Sequence, residues 1–228
     1  MRLAALYSGG KDSTLAMYLA VQMGHDVPYL VNIVPDDEES WIFHTPNLDV
    51  VPLMAESMGI ELVRASSSGT EEGDMACLRD ALSGLDVEGV VAGAVWSDYQ
   101  WDRMNAVCGD LGLKLIAPLW RKDQDAVLEE IIDSGIQAVI VGCYAEGLDE
   151  SWLGRPIGRD AGNGLRALRS KHGISVIGEG GEYESLTLDS PLHSRPLEIV
   201  SSVRDVRSSS CTLRVTKARL RPGCARSP

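Results

Sequence analysis

Six residues near the start of the chain, Ser8-Gly9-Gly10-Lys11-Asp12-Ser13, combine the side chains and the backbone freedom needed to hold a string of phosphates. Gly9 and Gly10 lack a Cβ, so the backbone can take positive φ and approach phosphate oxygens closely. Ser8 and Ser13 offer hydroxyl donors and Lys11 a positive charge. Asp12 repels phosphate, so it either caps the following helix or reaches a Mg²⁺ ion. The spacing excludes two better-known loops. Ala5 stands where the Walker pattern needs its first glycine and Asp12 follows the lysine, while a dinucleotide G-x-G-x-x-G finds only Gly9 and Gly10. A plain Gly-Gly turn before a helix is the alternative.

A second chemical cluster lies far along the chain. Glu179, Glu182 and Glu184 are interrupted by Gly180 and Gly181 and flank Tyr183, which puts three carboxylates and an aromatic ring on one turn. A solvated acidic turn is the alternative. His44 follows the second expected strand, at the end of the sheet where such folds bind ligands, and could lie near adenine or ribose. A packed or surface histidine fits it equally well. Trp152 and Arg155 could line a substrate mouth or pin a lobe boundary.

The elements that position these residues can be read from the apolar pattern. Residues 2–7 form a strand, 13–23 a helix stopped by Gly24, Val27 to Val34 a strand, Asn47 to Met58 a helix closed by Gly59, and Ile60 to Ala65 a strand. The alternation continues through helices at Glu72 to Ser83, Gln100 to Leu111 and Asp123 to Ser134. Strands are expected at Gly89 to Ala94, Lys114 to Pro118 and Gln137 to Gly142. Strands alternating with helices predict right-handed crossovers and a parallel sheet covered on both faces. After Cys143 the texture turns Gly-rich and polar, with a helix at Gly162 to His172 and strands at Ile174 to Gly178, Leu186 to Asp189, Glu198 to Val203 and Cys211 to Leu220. This divides the chain into a main domain at 1–143 and a smaller α+β lobe at 144–228.

Composition sets outer bounds. The 228 residues are 44% hydrophobic, enough for one sizeable core and a small second one. No apolar run is long enough to span a bilayer and Leu3-Ala4-Ala5-Leu6-Tyr7 has no basic lead, so a soluble, cytoplasmic protein is expected. Cys77, Cys108, Cys143, Cys211 and Cys224 are odd in number and widely spaced, which reads as reduced structural thiols. A net charge of −12 argues against a broad grip on nucleic acid, and none is expected. Arg204 to Arg226 is locally basic, either a solvated strand face or a partner patch, with the solvated face as the expectation.

The hexapeptide at 8–13 resembles the SGG-x-D-S signature of PP-loop ATP pyrophosphatases, which cleave ATP between its α and β phosphates. Four further blocks are similar to the diphthine-ammonia ligase family: Trp41-Ile42-Phe43-His44-Thr45-Pro46-Asn47; Gly93 through Tyr99-Gln100 to Val107-Cys108 with Pro118-Leu119-Trp120; Gly147 to Arg155; and Gly178-Glu179-Gly180-Gly181-Glu182-Tyr183-Glu184-Ser185. The likeness keeps the family's order from residue 1 to about 200. One departure is Arg103-Met104-Asn105, where many relatives carry a carboxylate, so Asn105 is left out of the site.

The resemblance implies a Rossmann-like, adenine nucleotide alpha-hydrolase-like α/β fold. It also implies adenylation of the diphthine carboxylate on translation elongation factor 2 by ATP with Mg²⁺, followed by amidation with ammonia. Ser8, Gly9, Gly10, Lys11, Asp12, Ser13 and His44 would hold ATP, with Lys11, Asp12, Glu182 and Glu184 catalytic and Asp12 on the metal. Tyr99, Gln100, Trp152, Arg155, Glu179, Gly180, Gly181 and Tyr183 would meet the substrate. Diphthine's quaternary ammonium suits carboxylates beside an aromatic face. No glutaminase segment is visible, so free ammonia is the expected nitrogen source. Another adenylating PP-loop enzyme, acting on tRNA or forming a small-molecule amide, and a non-catalytic ATP sensor are the rivals; homo-oligomerisation is left open.

Overall fold

The computed structural model describes residues 1–36 and 46–222. Its first sheet contains β1 (Arg2–Leu6), β2 (Asp26–Pro35), β3 (Glu61–Ser67), β4 (Gly89–Val91) and β5 (Lys114–Ile116), all parallel in the order β3-β2-β1-β4-β5. The crossover helices are α1 (Lys11–Gln22), α2 (Val51–Met58), α3 (Glu71–Ser83) and α4 (Asp98–Asp110). Strand β1 shows why both faces are covered. Leu3, Ala5 and Tyr7 join a core with Leu15 and Met17 of α1, whereas Ala4 faces Leu78 and Leu82 of α3 and Val107 and Cys108 of α4. Alternate side chains of a strand point to opposite faces, so an unbroken apolar run is what a doubly covered strand requires.

Local chemistry sets the helix ends. Thr70 caps α3 by accepting from Gly73 N, with Glu71 and Glu72 in the first turn, and Ser97 caps α4 by accepting from Gln100 N. Pro52 opens α2 and Gly59, at φ 67°, closes it in the left-handed region. The expected helix from Asn47 begins instead as a 3-10 turn over Leu48–Val50, and Asn47 itself is left-handed.

The second sheet contains β6 (Gln137–Cys143), β7 (Tyr183–Asp189), β8 (Leu197–Val206) and β9 (Cys211–Leu220), antiparallel in the order β7-β6-β9-β8. The expectation that 137–142 continues the parallel sheet is therefore corrected. Strand β6 lies inside the antiparallel sheet, where it is buried over almost its whole length, and an apolar run does not distinguish the two kinds of central strand. Helix α5 (Gln124–Asp133) leads into it, and α6 (Arg159–His172) is tied to α5 by Arg166 and Arg169, which both bond Asp125.

The strand expected at 174–178 is absent. Its backbone groups go to side chains instead, with Ser175 N donating to Glu182 and the Ile177 carbonyl accepting from Lys11, and Gly178 turns at φ 74°. Cys108, Cys143 and Cys211 are buried and Cys77 partly so, all four free thiols. No helix among the described residues is long and apolar enough to cross a membrane.

Candidate active site

Strand order reverses between β1 and β4, and open parallel sheets bind ligands in the crevice beyond the strand ends at such a switch point. The segments after β1 and β4 meet there. A Cβ on Gly93 would stand 2.7 Å from Ser13 N and 2.8 Å from the Asp12 carbonyl carbon, so only glycine lets the chain beyond β4 touch the head of α1. Gly9 takes φ +82°, and a side chain there would crowd Met54.

Helix α1 has no side-chain cap. Its Lys11 N–H donates to Ser185 Oγ at 3.1 Å, which leaves the Asp12 and Ser13 N–H groups at the positive helix end without an intrahelical partner. Ser8 and Ser13 face each other across the loop at 3.3 Å between their hydroxyls. Backbone donors and hydroxyls in this arrangement could hold an anion.

The two acidic and basic side chains of the loop have unlike surroundings. Lys11 is buried: its Nζ donates to Ile177 O at 2.6 Å and Asp12 Oδ2 at 2.8 Å and lies 4.9 Å from the centre of the Tyr183 ring. Burial alone would lower its pKa, but Asp12, Tyr183 and Glu184 outweigh that and hold it above the usual lysine value. The ammonium is thus an internal cation joining loop to turn. Asp12 does not cap the helix, contrary to one of its two expected roles. One of its oxygens serves Lys11, and Oδ1 is buried with no hydrogen-bond partner among the described residues.

Strand β7 lies directly against the loop, although more than 170 residues separate them in sequence. Besides the Ser185 contact, Thr187 N donates to Gly9 O at 2.8 Å, and the hydroxyls of Tyr7, Thr14 and Thr187 form a chain with 3.1 Å steps. Thr14, Ser185, Thr187 and Gly93 are site-building residues that motif reading did not select. Ser185 and Gly93 stand inside segments already singled out, but nothing in the spacing indicates that the two segments touch.

The three carboxylates of the turn have three different environments. Glu182 accepts from Ser175 N and from Gly180 N, both at 2.8 Å, so it fixes its own turn. Glu179 accepts from Trp96 N at 2.7 Å and Ser97 N at 3.0 Å, clamping the turn to the segment beyond β4. Burial raises its pKa against those two N–H groups, with Asp12 adding to the rise. The Glu184 carboxylate makes no hydrogen bond among the described residues, and burial pushes it up to about 7, with Lys11 opposing and Asp12 reinforcing. A cleft of about 520 Å³ opens beside the turn, lined by Trp96, Ser97, Gln124, Ser175, Glu179 and Glu182 among others.

Other expected site residues lie elsewhere or are otherwise engaged. Tyr99 gives its hydroxyl to Glu71 and stacks under Arg103, linking α3 to α4, and Gln100 N serves the cap of α4. Trp152 is buried with the Arg155 guanidinium 4.5 Å above its ring, and a Cβ on Gly164 of α6 would stand 2.8 Å from it. That contact pins α6 to the segment before it. Gly180 and Gly181 sit in the turn, with Gly181 at φ 79°; Asn105 donates only to Trp101 O within α4; His44 falls outside the described residues. Among the described residues no group of three or more His, Cys, Asp and Glu side chains forms a metal cage.

A doubly covered parallel sheet with an uncapped glycine loop at its switch point defines an α/β protein of the PP-loop, ATP-using class. Residues 1–115 match the family described as diphthamide synthase N-terminal domain and residues 123–220 its C-terminal domain, and the chain belongs to the diphthamide synthase family. It is 37% identical to the diphthine--ammonia ligase of Bos taurus over 89% of this chain and 84% of that one. Identity to the Homo sapiens protein of the same name is 36%, over 89% and 84%. The Rattus norvegicus one is 36% identical over 96% and 91%.

Proposed function

We propose that this chain forms diphthamide by joining ammonia to the carboxylate of diphthine, at the expense of ATP, on elongation factor 2 in the cytoplasm. The observation that carries the reading is the seam between loop and turn. Lys11 N on Ser185 Oγ and Thr187 N on Gly9 O set the phosphate receptor against the strand that bears Glu184. Polyphosphate and acid substrate would meet across that seam.

The chemistry proceeds in two displacements. A carboxylate oxygen of diphthine attacks the α-phosphorus, the bond to the bridging oxygen breaks, and pyrophosphate leaves into the loop. The N–H groups of Asp12 and Ser13 and the hydroxyls of Ser8 and Ser13 receive the charge developing there. Ammonia then attacks the acyl carbon, AMP departs, and the nitrogen loses a proton. Glu184, with a pKa near neutrality and no competing hydrogen bond, is the base suited to take that proton. Glu179 and Glu182 hold the turn, and with Trp96 they offer negative charge and an aromatic face to the quaternary ammonium of the substrate.

Mg²⁺ fits the donor set. The buried, unpartnered Oδ1 of Asp12 at the head of α1 supplies one carboxylate oxygen, and Mg²⁺ usually takes one or two protein carboxylates with phosphate oxygens and water. When bound, the ion would neutralise phosphate charge. The test is incubation of the protein with ATP, Mg²⁺, ammonium and diphthine-bearing elongation factor 2, with the modified histidine weighed by mass spectrometry and the nucleotides separated. Conversion of acid to amide with AMP and pyrophosphate is expected; ADP and orthophosphate, or an unchanged histidine, would refute the reading.

A further inference from the structure

The hairpin of β8 and β9 is not used by the reaction above. It carries five basic and two acidic side chains within a chain of net charge −12. Arg219 pairs with Glu198 and Arg207 with Asp205, whereas Arg214 and Lys217 are exposed and form no ion pair among the described residues. Val200, Val203 and Val206 are 43%, 49% and 52% exposed on the outermost strand of the sheet, and Val203, paired with Arg214, lies on the face that carries Arg214 and Lys217.

Register relates this hairpin to the active site. Tyr183 pairs with Cys143, Cys143 with Cys211, and Cys211 with Val206, one row running across all four strands. The carboxylate turn leaves one end of that row and the hairpin tip, residues 207–210, leaves the other, both beyond the same ends of the strands. Three strand spacings separate them, about 14 Å. A small molecule in the cleft does not reach that far; a macromolecule presenting one side chain to the cleft does.

We infer that the β8–β9 hairpin is the docking surface for the protein substrate, received through an acidic patch with apolar side chains among its carboxylates. This rests on the amidation reading. Charge selects the occupant: an acidic surface is repelled by a chain of net charge −12 and attracted by the hairpin's excess of cations, which orients its approach. The exposed valines favour a protein over RNA, because a phosphate backbone rewards dense cations and gains nothing from apolar side chains.

The experiment measures amidation of diphthine-bearing elongation factor 2 by the full chain, by Arg214→Glu/Lys217→Glu and by the milder Arg214→Gln/Lys217→Gln. Circular dichroism confirms folding in each case. The expected result is a rise in KM for the protein substrate of about tenfold for the reversed pair and less for the neutral pair, with kcat and the KM for ATP unchanged. High salt should raise the KM of the parent and shrink the difference. An active parent with unmoved KM in both variants overturns the docking inference, as does an equal fall in kcat for both. An inactive parent overturns the amidation reading and this inference with it.

Discussion

The phosphate loop and the carboxylate turn are both glycine-rich and both charged, yet they use their backbone in opposite ways. The loop keeps two donors unspent: α1 has no side-chain cap, and Asp12 and Ser13 N–H at its head have no intrahelical partner. The turn's acids are instead held by donors already given to them, Ser175 and Gly180 N–H to Glu182 and, from the segment beyond β4, Trp96 and Ser97 N–H to Glu179. A segment with free donors is suited to an anion. A segment whose donors are consumed holds its carboxylates still and leaves free only the one it does not bind, Glu184. Where backbone hydrogen bonds go therefore separates receptor from reactive group better than the count of charges does.

The sharpest break in this comparison is Asp12→Asn. Asparagine keeps an acceptor for Lys11 Nζ, so the buried ammonium stays partnered, but the charged oxygen at the loop is lost. Pyrophosphate release at saturating ATP should fall by about 10²–10³-fold, with a thermal midpoint near that of the parent. Full activity in a folded variant would remove Asp12 from the receptor.

Next in size is Glu184→Gln, expected to slow amidation about 100-fold at neutral pH. At a constant concentration of free ammonia, the parent's rate should rise with pH through about 7 as Glu184 loses its proton, and the variant should lack that limb. Stability carries the opposite signature. A carboxyl whose pKa is raised on folding binds its proton more tightly in the native state, so its contribution is present below the unfolded value and lost as pH climbs towards 7. Allowing for partial exposure, Glu184→Gln should exceed the parent by about 2 kcal/mol above pH 7 without nucleotide and match it below pH 4. Chemical denaturation at the two pH values measures this, and equal differences at both would place Glu184 in a solvated setting.

Much of this site was legible in the chain. The loop, its flanking strand and helix, and the Glu-Gly-Gly-Glu-Tyr-Glu turn are short-range patterns, and residue types alone give their chemistry. What sequence did not convey is long-range. Ser185 and Thr187 become part of the phosphate loop only because β7 packs on it, and Gly93 is required only because β4 ends against α1. Strand β6 read as parallel because a buried strand of either sheet is an apolar run, and 174–178 read as a strand because Ile174, Val176 and Ile177 are buried although their segment is irregular. Aromatic residues are ambiguous for a related reason. Tyr99 and Trp152 can mark a binding surface or fill a contact, and only neighbours such as Glu71, Gly164 and Arg155 decide.

The smallest effect tests the turn itself. Glu182 accepts two N–H bonds through two oxygens, and glutamine offers one acceptor, so Glu182→Gln must lose one bond and turn an NH₂ towards either Ser175 N or Gly180 N. The penalty is about 1–2 kcal/mol, or a thermal midpoint lower by about 2–8 °C for a chain of this size. Because Glu182 acts on chemistry only through the position of Glu179 and Glu184, the neutral-pH limb of the rate profile should persist at reduced height. Amidation should fall less than in Glu184→Gln, and the KM for the protein substrate should shift more than kcat. A variant that melts like the parent but loses the limb would transfer the proton-accepting role from Glu184 to Glu182 and erase the contrast between the bound and the free carboxylate.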